Sequence, residues 1–457
     1  MTDPYGGRGL RVPESFPRPW LRSDQPVPRR LVRPVERFLS VEAGSGSVLL
    51  LAAVAALIWA NVSAEGYEGF WGTEISLTAG SLELTESLRD WVNDLLMAIF
   101  FFLISLEVKR EVLFGDLSDR RVAAAPIAAA IGGMILPALL FLLLNMGEGG
   151  SPSGWAIPIA TDVAFALALL ATIGRMAPGG LRSFLLTVAI VDDIGTIVVI
   201  ALFFTDDLSL AWLAVAAGLS LAVWLMSRVG IRHLAAYVAA AAVLWVAVFE
   251  SGVHATIAGV ILGFLTPSRP FHRPDPTARV IAEDLDELER TDDAEVEEGT
   301  MISVARLAGE AASPLNRMEE RLHPWSAYLI LPLFALANAG IPLSASVLGA
   351  VFTEPLGLGI LVGLLVGKPL GIFLASFAAV RLAGARLPEG IGFSALPALG
   401  LVAGIGFTVA IFISDLAFSG AELAEAKAAI LVASALASLL AVLAFAARRA
   451  FGGRLRE

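Results

Sequence analysis

Apolar residues in this chain gather into runs of about 17 to 25 positions, set apart by short polar or glycine-rich stretches. A helix rises about 1.5 Å per residue, so runs of that length match the roughly 30 Å hydrocarbon layer of a bilayer. Twelve helices are predicted, near residues 46–62, 87–106, 122–144, 154–173, 181–204, 208–226, 234–249, 251–266, 325–342, 355–380, 393–415 and 426–447. The seventh and eighth are short, and only Glu250, Ser251 and Gly252 separate them.

Charge bias decides whether those two are one helix or two. Basic residues cluster in alternate connections: Lys109, Arg110, Arg120 and Arg121, then Arg175 and Arg182, then Arg228 and Arg232, and later Arg381 and Arg386. The stretches 63–87, 145–153, 205–209 and 342–354 contain no Lys or Arg. Positive charge is retained on the cytoplasmic side, so both termini are expected there. Fusing the two short helices would invert every later loop and break the pattern.

The expected organisation is a disordered Pro/Arg-rich cytoplasmic tail over residues 1–40, a transmembrane domain over 41–450 and a short cytoplasmic tail over 451–457. Within the domain, 267–324 is a long acidic cytoplasmic loop, expected to be flexible through its acidic part. Composition agrees with a chain housed in lipid: 57% of residues are hydrophobic, 16% are charged, and the mean hydropathy is +0.76. The net charge of −11 argues against nucleic acid as a partner, and most of it is local. Residues 275–298 hold eleven acids against two arginines, a balance of −9. The absence of cysteine excludes disulfides, thiolate metal sites and cysteine nucleophiles.

Candidate chemistry comes from ionisable groups placed where lipid disfavours them, at a cost of at least about 2.5–3.5 kcal/mol each. They are Asp94, Glu107, Asp162, Asp192, Asp193, His254, Lys368 and Asp415. Asp162 closes Trp155-Ala-Ile-Pro158-Ile-Ala-Thr161-Asp162, where Pro158 removes a backbone donor, so a helix break is predicted. Gly400, Gly404 and Gly406 interrupt the eleventh span in the same way. Two interrupted spans suggest inverted repeats, helices three to five pairing with ten to twelve, and matched breaks point to a midplane ion site. Asp192 and Asp193 are neighbours on one helix, about 100° apart, so they serve different roles. One faces a cavity with Asp162, and the other turns to the unmatched cation Lys368. Carboxylates suit sodium and also take protons, so one group can hold either; such exchange needs no cofactor and no enzyme chemistry. Glu107 and Glu111 share a helix face beside Lys109 and Arg110, and Asp94 is expected at the start of that same helix in a structural role.

These residues together resemble the NhaA family of bacterial sodium/proton antiporters. The matching strings are Asn93-Asp94 through Leu106-Glu107-Val-Lys-Arg-Glu111, Gly154-Trp-Ala-Ile-Pro158 with Thr161-Asp162-Val-Ala-Phe-Ala166, Val191-Asp-Asp-Ile-Gly195, Ser251-Gly-Val-His-Ala-Thr256, His323-Pro-Trp325, Gly367-Lys-Pro369 and Gly406-Phe-Thr408. They span about residues 36–450 in order. The resemblance implies an all-α polytopic membrane protein with crossed, interrupted helices. It implies electrogenic exchange of sodium or lithium ions for protons by alternating access in the inner membrane, with strong pH activation and frequent homodimers. By matching position, Asp193 and Asp162 with Thr161 would bind the cation and Asp192 would partner Lys368. Glu107, Glu111, Glu319 and His254 would respond to pH. The chain departs from the family pattern in its long N-terminal tail, the acidic insert before Ser313, and Glu320 where a histidine is expected.

Two other classes fit less well. An intramembrane aspartyl protease would also use two buried aspartates, but no Gly-x-Gly-Asp string occurs. A passive cation channel would want a filter of backbone carbonyls rather than titratable pairs.

Overall fold

The computed structural model describes residues 42–453 except 80–81, 175–179, 206–207, 232–233, 273, 289–293 and 389–390. The tail expected over 1–40, Arg175 and Arg232 lie outside the described residues.

In chain order the helices are α1 (Glu42–Val62), α2 (Ala64–Trp71), α3 (Leu88–Phe114), α4 (Arg120–Asn145), α5 (Val163–Ile173), α6 (Leu181–Phe203), α7 (Leu210–Val229), α8 (Leu234–Phe249) and α9 (Thr256–Leu265). They continue as α10 (Pro274–Leu288), α11 (Ala294–Ala311), α12 (314–338), α13 (Ala345–Thr353), α14 (Pro355–Leu382), α15 (Leu396–Ala403), α16 (Phe407–Ala417) and α17 (Gly420–Gly453). Each of the twelve predicted spans is helical. Among the described residues, seven helices are long and apolar enough to cross a membrane alone, and two more spans are bent pairs. The rest, α8, α9 and the apolar part of α12, are shorter. The chain is an all-α polytopic membrane protein.

Three features depart from the sequence reading. Residues 74–87 form a hairpin, β1 (Glu74–Ala79) and β2 (Leu82–Ser87), antiparallel with Glu74 opposite Ser87. Ile75 and Leu77 alternate with Ser76 and Thr78, which suits a strand, but so short a polar segment has no apolar run to announce it. The loop expected to be flexible carries α10 and α11, packed on each other. Val280, Ile281 and Leu285 recur along α10 at helical spacing, a period masked by the surrounding acids. Finally, α3 starts at Leu88, capped by the Ser87 hydroxyl, which accepts from the Asp90 N–H at 3.1 Å. Asp94 therefore sits in a π-turn, Val92–Leu96, inside the helix rather than at its start.

Lipid offers no hydrophobic drive for helix pairing, so close backbone approach through small residues takes its place. In α14, Gly359, Gly363, Gly367 and Gly371 recur every four residues and form one stripe. A Cβ at Gly367 would lie 2.7 Å from Pro137 Cα on α4, and one at Gly363 would lie 2.6 Å from Pro158 Cβ. Gly371 abuts the backbone of Gly132 in the same crossing. This stripe brings Lys368 into the centre of the bundle. On the other side, Gly259 and Gly263 of α9 admit the backbone of α3 at Ala98 and Phe102.

Gly367→Ala is expected to lower stability by about 1–3 kcal/mol through overpacking. Thermal unfolding in detergent checks this, with Gly218→Ala as the control. Nothing lies within 4 Å of a Cβ at Gly218, so that change should leave the transition unchanged or raise it.

Candidate functional site

Pro158 belongs to a 3-10 turn, Pro152–Ile159, after which the chain runs extended through Asp162 before α5 begins. The two pieces are bent by 41°, and α15 and α16 by 53° across Gly404 to Gly406. The two breaks face each other and satisfy each other's backbone. The Asp162 N–H donates to the Ile405 carbonyl at 2.7 Å. The Thr161 hydroxyl lies 2.9 Å from the Ala403 carbonyl.

Asp162 caps both half-helices. Its Oδ1 accepts from the Phe165 N–H at 2.9 Å in the first turn of α5. Its Oδ2 accepts from the Thr408 N–H at 3.1 Å and the Thr408 hydroxyl at 2.6 Å in the first turn of α16. Helix N-termini carry partial positive charge and free N–H groups, so two of them converging on one buried carboxylate hold an anion without a formal cation.

On α6 the two neighbouring aspartates divide. Asp192 Oδ2 pairs with the Lys368 ammonium and also accepts from the Thr161 hydroxyl at 2.6 Å. Lys368 in turn donates to the Thr161 oxygen at 2.8 Å, closing a triad with both charges 1% exposed. Asp193, 7% exposed, accepts no hydrogen bond from any described residue. Its electrostatic neighbours are Asp192, Glu107, Lys368 and Asp162. The structure thus brings Thr161, Asp162, Asp192, Asp193 and Lys368 into one buried centre. Thr408, quoted in the sequence only as part of a string, is the one further side chain that touches Asp162 there. Its signal was a hydroxyl residue two positions after a helix-breaking glycine, in a first helical turn whose backbone N–H groups are free.

Glu107 lies on α3 between this centre and a second cluster at the C-terminal end of that helix. There Arg110 pairs with Glu319 of α12 at 2.5 Å, and Lys109 donates to the Phe264 and Thr266 carbonyls, both at 2.6 Å, closing the end of α9. Glu111 stands apart: its Oε1 accepts from the Asp116 N–H at 2.7 Å and fixes the turn after α3. Glu319 is buried, and its Oε2 has no hydrogen-bond partner. Burial pushes its carboxyl up from the ordinary 4.5, against the opposing pull of Arg110.

At the other end of α3, Asp94 Oδ1 lies 3.7 Å from His254 Nδ1. Both line a cavity of about 500 Å³ with Ser153, Trp155, Leu416 and Ala417. The His254 ring packs on Phe412 with centroids 5.2 Å apart, and its Nε2 is buried without a partner. Asp94 and His254 are therefore together, but not with the aspartates of the breaks.

Buried, titratable carboxylates at a crossing of broken membrane helices define a secondary active ion transporter rather than an enzyme. Residues 36–445 match the family described as Na+/H+ antiporter 1, and the chain belongs to that family. It is similar to the Na(+)/H(+) antiporter NhaA of Rhodopirellula baltica, 45% identical over 422 residues, covering 91% of this chain and 94% of the other. Na(+)/H(+) antiporter NhaA 2 of Sorangium cellulosum is 44% identical over 432 residues, covering 93% and 92%. Na(+)/H(+) antiporter NhaA of Escherichia coli O139:H28 is 44% identical over 405 residues, covering 88% and 94%.

The raised Glu319 carboxyl sets a pH signature. The folded state holds this proton more tightly than the unfolded chain, so the group's contribution to stability is fully present below about pH 4.5 and falls as pH rises through its folded value. Glu319→Gln should flatten the stability profile over that window, a change readable as thermal transitions between pH 4.5 and 8.

Proposed function

We propose that the protein exchanges sodium for protons, and that Asp193 and Asp162 with Thr161 form the shared ion and proton site. The observation that carries this reading is the unequal state of three buried carboxylates. Asp192 is neutralised by Lys368, Asp162 is held by two helix ends, and Asp193 has no hydrogen-bond donor among the described residues. An acid in that position accepts a proton when no cation is present. Sodium, a hard ion that prefers oxygen, displaces the proton and draws on Asp193, Asp162 and nearby carbonyls. Binding then competes with the Thr408 and Phe165 donors for Asp162, which ties occupancy to the seating of both half-helices.

The triad of Thr161, Asp192 and Lys368 supplies the fixed frame. Its opposite charges cancel, so a change of charge at Asp193 is not absorbed by its neighbour. Alternating access about the crossing carries the site from one face to the other. On this reading exchange is electrogenic, lithium is also carried, and the activity regulates cytoplasmic pH and sodium. Charge bias supports cytoplasmic termini in a bacterial inner membrane, and 267–324 is then a cytoplasmic segment. The cluster of Glu107, Arg110 and Glu319 lies on that side and supports a pH-responsive role, with Glu111 acting through the adjoining turn. Asp94 and His254 lie on the outer side. The exposed leucines of α7 and α17 fit a lipid-facing surface, and the resemblance supports a homodimer.

Asp193→Asn and Asp162→Asn should each abolish sodium-dependent dequenching of a pH dye in everted vesicles from pH 6 to 9, while the protein still inserts. Retained sodium affinity in either variant would place the site elsewhere. Lys368→Ala leaves Asp192 charged and buried, so about 3–5 kcal/mol of stability should be lost, seen as a large drop in thermal transition as well as in activity.

A further inference from the structure

A second ion pair lies between α16 and α17, and the exchange site makes no use of it. Asp415 Oδ1 meets Lys427 Nζ at 2.6 Å, with side chains 13% and 7% exposed. Asp415 Oδ2 is buried without a hydrogen-bond partner among the described residues. Facing this pair is another on the opposite wall: Arg89 of α3 bonds Glu68 of α2 at 3.0 Å and also donates to the Ala337 carbonyl of α12 at 3.2 Å. Arg89 attracts Asp415 across the gap, Glu68 attracts Lys427, and Arg89 also repels Lys427. The Asp415 carboxylate is therefore the group on its wall that the facing arginine draws in.

What this holds in place follows from α16 itself. Thr408, Phe412 and Asp415 are four and three residues apart and so share one side of the helix. Thr408 binds Asp162. Phe412, 1% exposed, packs against Phe101 at 5.6 Å and Phe334 at 6.2 Å, and beneath His254. Leu416 and Ala417, one step further, line the cavity of about 500 Å³, whereas Asp162 and Thr161 do not. Phe412 is therefore a plug between the cavity and the ion site, carried on a half-helix secured at its far end by Asp415.

We propose that Asp415 and Lys427 are positioning residues for transport, forming with Arg89 and Glu68 a charge latch that keeps the Phe412 plug seated between the outer cavity and the ion site. The latch biases the two access states; it does not touch the transported ion. It rests on the antiporter reading and on the Asp94 end being the outer one. Ligand affinity measured from one face scales with the fraction of molecules open to that face. Loosening the latch therefore weakens apparent affinity at the cytoplasmic face and strengthens it at the outer face.

The test is the apparent KM for sodium at each face, in everted and right-side-out vesicles, for wild type, Asp415→Asn, Arg89→Gln and the neutral pair Asp415→Asn with Lys427→Gln, which leaves no orphan charge if a single variant fails to accumulate. KM should rise about threefold to tenfold at the cytoplasmic face and fall at the outer one. The charge swap Asp415→Lys with Lys427→Asp should return both toward wild type. Shifts of the same sign at both faces, or lost Vmax with KM unmoved, would overturn the latch. Because the chain has no cysteine, Ile411→Cys provides a single buried thiol beside the plug. Its labelling by an impermeant maleimide from outside should quicken several-fold in the Asp415→Asn background, and an unchanged rate would also overturn the proposal. Failure of sodium exchange in wild type would sink the antiporter reading alone, since the labelling arm does not depend on it.

Discussion

Hydrocarbon tolerates no unpaired backbone, and this molecule breaks two of its spanning helices in the middle of the bundle. The rest of the structure follows from how those breaks are satisfied. Each supplies what the other lacks: the Asp162 N–H donates to the Ile405 carbonyl, and Thr408 returns two donors to the Asp162 carboxylate. Neither break is stable without the other nearby, so the crossing fixes the relative position of α5 and α16. The carboxylate that ties them together is also one of the two proposed to meet the ion. Fold and site are one set of hydrogen bonds here.

Around that crossing, charge is distributed so that only part of it is free to change. Lys368 is carried inward by a stripe of glycines on α14 that presses against α4 at Pro137 and Gly132. Once buried, an ammonium needs a counter-charge, and Asp192 with Thr161 provides it. That leaves Asp193, one residue along α6, beside a neutralised pair and without a donor among the described residues. The neighbouring positions differ because about 100° of helix rotation separates them, and one points at the lysine. Farther out, Glu107 and the Arg110–Glu319 pair lie toward one end, Asp94 and His254 toward the other. Ionisable groups thus occur along the length of α3 as well as at the break.

Much of the fold was legible because lipid imposes a simple code. Each of the twelve apolar runs holds helix, two of them as bent pairs, and Pro158 and the glycines at 400, 404 and 406 marked both breaks. Where the code does not apply, the reading missed. The hairpin 74–87 and the helices α10 and α11 lie in polar segments whose conformation depends on alternation or on an amphipathic face. Helix α3 starts at Leu88, as the predicted span 87–106 has it, so Asp94, expected at that start, falls inside the helix instead. Lys427, the second residue of the predicted span 426–447, was not among the candidate groups. Its burial follows from the neighbouring α16, not from its own surroundings in the chain.

The sequence alone determined that the chain spans a membrane many times, that two spans are interrupted, and that eight ionisable groups, five of them aspartates, sit where charge needs a reason. These conclusions need only segment length, residue chemistry and the insertion cost of a charge, all of which are local. Which aspartate meets Lys368, which oxygen of Asp162 each half-helix caps, that Thr408 joins the site, and that Asp415 finds Lys427 are different in kind. Each depends on the rotation and depth of one helix against another. Those are set by packing contacts such as Gly367 against Pro137, between residues far apart in the chain.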